Sequence, residues 1–123
     1  MINVDSRSSK TIYKQIIDSI KEDIIKGVLK PGDKLPSVRE LASMITINPN
    51  TISKAYKELE RMKTIEVIRG RGTFVCENYN PVISEEKIKE IREHMKKIII
   101  EAHYAGIDKD KLMKMMNEVY NEF

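Results

Sequence analysis

The sequence predicts a mainly α-helical fold that carries one small β-hairpin, which places it in the α+β class. Apolar residues recur at helical spacing over most of the chain, capping residues precede several of these stretches, and two strand-like runs flank one glycine-rich turn. The chain has 123 residues, of which 41% are hydrophobic and 33% charged. This length suits one small domain with an appendage, and the hydrophobic fraction disfavours wholesale disorder.

The first predicted helix covers residues 11–26. Ile16, Ile20 and Ile24 follow one another at intervals of four, which puts their side chains on one face of a helix. Gly27 is expected to end the helix, because glycine readily adopts the left-handed conformation that closes one.

Two further helices are predicted close together. Ser37 and Glu40 form a capping box, in which each side chain accepts from the other residue's backbone amide, so a helix begins here. Asn48 and Pro49 are typical of the cap and first position of the next helix, which we expect to end near Met62. Only a tight turn separates the two, which predicts a helix-turn-helix. The apolar residues expected to face the core are Val38, Leu41, Ala42, Ile45, Ile52, Ala55, Tyr56 and Leu59.

A β-hairpin is predicted directly after the third helix. Residues 65–68 and 73–75 have strand composition, and residues 69–72 between them are Arg-Gly-Arg-Gly. A hairpin in this place is typical of the wing of a winged helix-turn-helix domain. We therefore predict such a domain over residues 1–77.

Residues 78–123 predict a tail of two helices. Ser84 is a suitable cap for a long helix and Asp108 for a final one, with Gly106 interrupting between them. In the long helix, apolar residues alternate at intervals of three and four, which is typical of a narrow coiled-coil contact and predicts dimerisation. The residues predicted to form the dimer contact are Ile88, Ile91, Met95, Ile98, Ala102, Leu112, Met116 and Tyr120.

The net charge of +3 is unevenly distributed along the chain. Residues 30–75 carry nine basic and five acidic side chains, a net charge of +4, whereas residues 1–29 carry +1 and residues 76–123 carry −2. An electropositive segment is expected of a surface that faces phosphates. The predicted helix-turn-helix and wing lie in that segment.

Several classes of function are disfavoured. The single cysteine, Cys76, has no partner for an internal disulfide, and no Cys/His cluster predicts a metal site. No nucleotide-binding, hydrolase or metalloprotease motif is present, so we expect neither catalysis nor a cofactor. The longest hydrophobic runs are three residues long, and the first ten residues lack an apolar stretch. We therefore expect no membrane segment, no signal peptide and a cytoplasmic location.

The motifs occur in an order that resembles one family. They are IYKQI at residues 12–16, LPSVRELA at 35–42, NPNTISKAYKELE at 48–60 and RGRGTFV at 69–75. Together they resemble the DNA-binding domain of GntR-family bacterial transcription regulators, in one register over residues 11–75. The short helical tail resembles that of the YtrA subfamily. The resemblance implies a homodimeric repressor that binds double-stranded DNA at a pseudo-palindromic operator, an inverted repeat, often of a transporter operon.

The resemblance and the side-chain chemistry together assign the DNA contacts. Amide, hydroxyl and ammonium groups at the front of the third helix suit base edges or phosphates in the major groove. Arg39 matches a position at which an arginine contacts DNA in the family, and wing glycines permit close approach to the minor groove. The predicted DNA-binding residues are Ser37, Arg39, Asn48, Asn50, Thr51, Ser53, Lys54, Lys57, Arg69, Gly70 and Arg71.

Each assignment has a structural alternative. Arg39 could form an exposed ion pair with Glu40 or Glu58, and Ser37 is already explained as a cap. The polar face of the third helix could be a solvated surface only, and any hairpin turn needs glycine for its own geometry.

Two positions depart from the family pattern. Thr46, between the second and third helices, and Lys63, after the third, stand where the family commonly has glycine. A left-handed backbone would be strained at either residue, more so at β-branched Thr46. Either the turns are remodelled or some stability is lost.

The sequence also leaves an alternative function open, in which the tail is the main site of a small-molecule sensor or a protein-interaction module. Helices rich in Met and Ile can repack around a ligand, so an unknown small-molecule effector stays among the candidate partners. Tyr104, Tyr120 and Phe123 are expected to be tail core rather than a ligand cage. His94 and His103 lack the spacing of a metal site.

Overall fold

The computed structural model describes residues 2–123, in which five helices and one three-stranded sheet form. The chain divides into two compact units, one ending at Tyr79 and the other beginning at Asn80. The elements of the first unit are α1 (Ile12–Ile25), β1 (Lys34–Leu35), α2 (Val38–Ile45), α3 (Pro49–Arg61), β2 (Ile65–Ile68) and β3 (Gly72–Val75). The second unit contains α4 (Glu85–Tyr104) and α5 (Lys109–Tyr120). The prediction of a mainly α fold with a β wing is confirmed.

The four predicted helix caps are all present. Ser37 Oγ accepts from the Glu40 amide at 3.1 Å, and Asn48 Oδ1 accepts from the amide two residues on at 2.8 Å. Ser84 and Asp108 each accept from the amide three residues on at 2.9 Å. Each cap satisfies a backbone donor that has no partner within its helix, which fixes where the helix begins.

The sheet has one strand more than the predicted hairpin. Its order is β1-β3-β2, with every neighbouring pair antiparallel; Lys34 is paired with Phe74, and Ile65 with Val75. The Val75 amide also donates to the Asp33 carbonyl at 2.8 Å. β1 was missed because it is two residues long and exists only through its pairing with β3, so it has no periodicity of its own.

The core of the first unit lies between α1, α2, α3 and the sheet. α1 and α2 both pack on α3, which also contacts β2. Its buried residues are Ile16, Ile17, Ile20, Leu35, Leu41, Ala42, Ile52, Ala55, Tyr56, Leu59, Ile65 and Val75. Val38 and Ile45 are partly buried against this core. The predicted inner faces of α1, α2 and α3 are therefore confirmed.

The turns at Thr46 and Lys63 keep the left-handed conformation, with φ of 56° and 59°. The next amide in each turn donates to a carbonyl five residues back, Ile47 to Ala42 and Thr64 to Leu59, which closes the helix as glycine would. The turns are thus not remodelled, and the strained backbone is retained at both residues.

The second unit has almost no core of its own. Ala102 is the one buried residue that the structure describes after Asn80. Tyr104, Tyr120 and Phe123 are 86%, 72% and 49% exposed, so the expectation that they form a tail core is wrong for the single chain. The reason is geometric: apolar side chains of α4 and α5 line a groove between the two helices instead of closing over one another.

Candidate nucleic-acid interface

The start of α2 presents Arg39 to solvent on a rigid support. The Ser37 hydroxyl accepts from the Glu40 amide, and the Glu40 carboxylate accepts from the Ser37 amide at 3.4 Å, so the capping box is complete. Arg39 lies within this first turn and is exposed. The hydroxyl of Ser37 is thus engaged in the cap and fixes the position of the helix terminus.

Neither carboxylate proposed as an ion-pair partner for Arg39 is paired with it. Glu58 accepts two hydrogen bonds from the Arg61 guanidinium, one of them 2.9 Å long from Nε, and these bonds hold the pKa of Glu58 below its ordinary value. Glu40 is directed to the Ser37 amide. In the part of the chain that the structure describes, Arg39 has no ion pair, so its guanidinium is available to a ligand.

The start of α3 presents a polar face beside a buried one. Asn50 and Lys54 are exposed, and Thr51 and Ser53 are half-buried at its rim. Lys57, one turn further on, is also exposed. The opposite face of α3 is anchored by Ile52, Ala55, Tyr56 and Leu59, all buried. The side-chain oxygen of Asn48 accepts the capping hydrogen bond, and its side-chain NH₂ group remains able to donate to another group.

The wing turn joins β2 to β3 and carries two exposed arginines. The Arg71 amide donates to the Ile68 carbonyl at 2.9 Å, which closes the turn, and Gly70 adopts a positive φ of 81°. Nothing lies within 4 Å of the position that a Gly70 side chain would occupy, so the tip is open. Neither Arg69 nor Arg71 forms an ion pair with any residue from 2 to 123.

Two residues near these elements were not singled out from the sequence as functional. The Tyr56 hydroxyl, buried on α3, donates to the Pro36 carbonyl at 2.7 Å. Burial, together with the charge of Glu40, raises the pKa of Tyr56 to about 12. Lys34 in β1 lies against Gly72 of the wing. Both relationships join residues far apart in the sequence, so no local motif indicates them.

Most of the predicted dimer residues form an exposed apolar surface on the tail. Ile88, Ile91, Met95 and Ile98 of α4 are each close to half exposed, and Tyr120 of α5 more so. Met95, Ile98, Leu112 and Met116 line a groove of about 560 Å³ between α4 and α5. Ala102 also borders the groove but is already covered in the single chain, and it offers little surface to a partner.

Within residues 2–123, no helix combines the length and the apolar character that a membrane crossing requires.

Comparison with known proteins identifies the family. Residues 12–75 match the family model of the gntR bacterial regulatory proteins. The chain is 56% identical over 119 residues to the HTH-type transcriptional repressor YtrA of Bacillus subtilis (strain 168), a match covering 97% of this chain and 92% of that protein. The matching relatives are transcriptional regulators rather than enzymes.

Solved structures agree with this result. A crystal structure of a transcriptional antiterminator from Listeria monocytogenes EGD-e has a TM-score of 0.86 at 40% identity, covering 98% of this chain and 90% of that one. The AraR DNA-binding domain in complex with operator ORX1 has a TM-score of 0.54 at 26% identity, covering 62% of this chain and 95% of that domain. The chain therefore belongs to the GntR family of bacterial transcription regulators, with a helix-turn-helix DNA-binding domain and a YtrA-like organisation.

Proposed function

We propose that the chain is a homodimeric repressor that binds a pseudo-palindromic operator with α2, α3 and the wing. The observation that carries this proposal is a set of cations without carboxylate partners among residues 2–123: Arg39, Lys54, Lys57, Arg69 and Arg71. On and beside α1, by contrast, Lys10, Lys14 and Lys26 are each paired with an acid. Unpaired cations gathered on α2, α3 and the wing can bind phosphates or guanine edges without first breaking an internal pair.

Each of the three elements would contact a different part of the DNA. The start of α3 enters the major groove, where Asn50 can both donate to and accept from an adenine. Arg39 binds a guanine edge or a phosphate, and Lys57 holds a phosphate. The wing tip lies in the minor groove, where Arg69 and Arg71 meet the negative potential. Thr51, Ser53 and Lys54 supply further contacts along α3.

The homodimer is supported by the uncovered tail. A stable interface between two proteins buries about 800 Å² on each side, and such interfaces have an apolar centre. The stripe from Ile88 to Ile98, with the groove beside it, offers such a centre and has no cover within the single chain. A second copy would cover it with an identical stripe, since most homo-oligomers are symmetric dimers. Two recognition helices would then face two half-sites.

The biological setting follows from the family. We propose that the operator controls a transporter operon, as the resemblance to the YtrA subfamily implies, and that the protein acts in the cytoplasm, where bacterial DNA is found. A small-molecule effector has no specific site in this proposal.

DNA recognition is tested by selecting bound sequences from a random duplex pool with the full chain. We expect an inverted repeat, with affinity that falls steeply as salt rises. Arg39→Ala and Asn50→Ala should each weaken binding to the selected sequence about tenfold or more and relax selection at individual positions. Arg7→Ala, which removes an exposed arginine outside α2, α3 and the wing, is the matched control. Recovery of no preferred sequence, with both variants binding like the parent, would refute specific repression.

Dimerisation is tested with two separate variants, each of which places one lysine on a different side of α4. Ile98 and Ile100 are separated by about 200° around a helix, and they are 44% and 59% exposed. Ile98→Lys puts a charge in the predicted interface and should give a monomer in sedimentation velocity at micromolar concentration. Ile100→Lys makes the same chemical change outside it and should leave the dimer intact. A parent protein that sediments as a monomer would contradict the proposal.

A further inference from the structure

Lys34 lies on the face of the sheet that points away from the core. The strand register pairs Lys34 of β1 with Phe74 of β3, which is paired in turn with Glu66 of β2. The residue after Lys34 in β1 is Leu35. Leu35 is 2% exposed and belongs to the core. Because side chains alternate between the two faces of a strand, Lys34 must leave from the opposite face. It is exposed there.

Gly72 provides the space for the Lys34 side chain. A Cβ atom at Gly72 would meet Lys34 Cε at 3.0 Å and Lys34 Nζ at 3.7 Å. The aliphatic part of Lys34 therefore crosses the backbone of Gly72, the first residue of β3 and the neighbour of Arg71. This contact holds the ammonium group beside the wing turn, although Lys34 precedes that turn by more than thirty residues.

The ammonium group of Lys34 has no carboxylate partner in residues 2–123. The nearby acids are occupied or distant: Asp33 accepts from the Lys30 amide at 2.8 Å, and Glu77 lies against Gly32. Glu66 is two strands away across Phe74, roughly 10 Å by the ordinary spacing of strands. Lys34 thus shares the unpaired state of the cations on α2, α3 and the wing.

We propose that Lys34 binds a backbone phosphate of DNA beside the groove that the wing enters. This inference rests on the proposed function, because it takes the wing to be in contact with DNA. Strand pairing fixes the Lys34 backbone to β3, so the ammonium group stays within reach of the wing turn that carries Arg69 and Arg71. A lysine is a compact point charge that suits a phosphate, and such a contact positions the wing without selecting a base sequence.

The test compares Lys34→Met with Lys30→Met in the full chain. Both residues are exposed lysines without an ion pair in the described structure, both lie in the segment before α2, and both substitutions remove one charge. Methionine preserves most of the aliphatic length that crosses Gly72. Binding to the selected operator and to a random duplex is measured over a range of salt concentrations, and thermal unfolding shows whether each variant is folded.

We expect Lys34→Met to weaken binding to both duplexes about eightfold per bound chain near 0.1 M salt. The slope of log affinity against log salt should become shallower by about 0.9 per bound chain, the value for one lost phosphate contact. Lys30→Met should change neither quantity beyond the small effect of net charge. Equal effects of the two substitutions, or an unchanged slope for Lys34→Met, would overturn the inference. A parent that binds both duplexes equally would instead refute the proposed function, while the random duplex still measures the Lys34 contact.

Discussion

The hydroxyl of Tyr56 on α3 donates to the carbonyl of Pro36, the residue directly before the cap of α2. This bond joins the helix that carries Asn50 to the turn that carries Arg39. Both ends of the bond are held, since the Tyr56 side chain is only 5% exposed and Ser37 is fixed by its capping box. The spacing between the first turns of α2 and α3 is therefore set by a buried polar contact as well as by apolar packing.

Tyr56→Phe keeps the ring and removes the hydroxyl, and we expect it to lower the free energy of unfolding by about 1–2 kcal/mol. The loss has two sources, the hydrogen bond itself and the Pro36 carbonyl left without this donor. Urea unfolding at a fixed chain concentration measures it, because the stability of a dimer depends on concentration. Tyr104→Phe, which removes a hydroxyl from an 86% exposed ring, is the control and should be nearly neutral. An effect no larger than that of the control would contradict the structural role.

The raised pKa of Tyr56 predicts a specific loss of stability in alkali. Its pKa moves from 10.0 to about 12 on folding, because burial disfavours the phenolate and Glu40 repels it. A group whose pKa is raised in the folded state contributes stability fully below its unfolded pKa and loses it as pH rises through the folded value. The contribution should thus be complete below pH 10 and disappear between about pH 10 and pH 12.

Unfolding measured against pH in the parent and in Tyr56→Phe isolates this effect from other groups that titrate in alkali. The parent should lose more stability than the variant over this range, so that the two curves converge. Parallel curves would show that Tyr56 ionises equally easily in the folded and unfolded states.

Thr46→Gly should raise the free energy of unfolding by about 1 kcal/mol. Thr46 holds a φ of 56°, which is strained for a β-branched residue and free for glycine. The gain is reduced by the greater entropy of glycine in the unfolded chain. Ser43→Gly, at an exposed position within α2, carries the same entropy cost without relief of strain and should destabilise by about 0.5 kcal/mol. Destabilisation by both substitutions would mean that Thr46 is not strained.

The parts of the fold that depend on neighbours in sequence could be predicted. The caps at Ser37 and Asn48, the inner faces of α1 to α3 and the hairpin all follow from spacing and local hydrogen bonding. β1 could not be predicted, because its two residues become a strand only beside β3. The sequence also left Arg39 with two candidate carboxylate partners, Glu40 and Glu58. Whether Glu58 pairs with Arg39 could not be predicted, because it depends on a third residue, Arg61, which pairs with Glu58 instead.

The tail shows the same distinction. Its helices and the Ile88 to Ile98 stripe follow from periodicity, but whether that stripe is buried depends on how α4 and α5 meet. In the single chain they leave a groove between them, and residues expected to form a core are exposed. Periodicity indicates that a face is apolar, whereas what covers that face is a tertiary or quaternary property.

The central claim is that two linked copies of the chain bind two half-sites. Its most direct test is the affinity of the full chain for the selected operator and for three altered duplexes. The altered duplexes have one half-site scrambled, the half-sites moved apart by about five base pairs, or moved apart by about ten base pairs. We predict that scrambling and the half-turn shift each weaken binding at least tenfold, since one recognition helix loses its groove, and that the full-turn shift weakens it less than the half-turn shift. Undiminished affinity for the duplex with a single intact half-site would contradict the account.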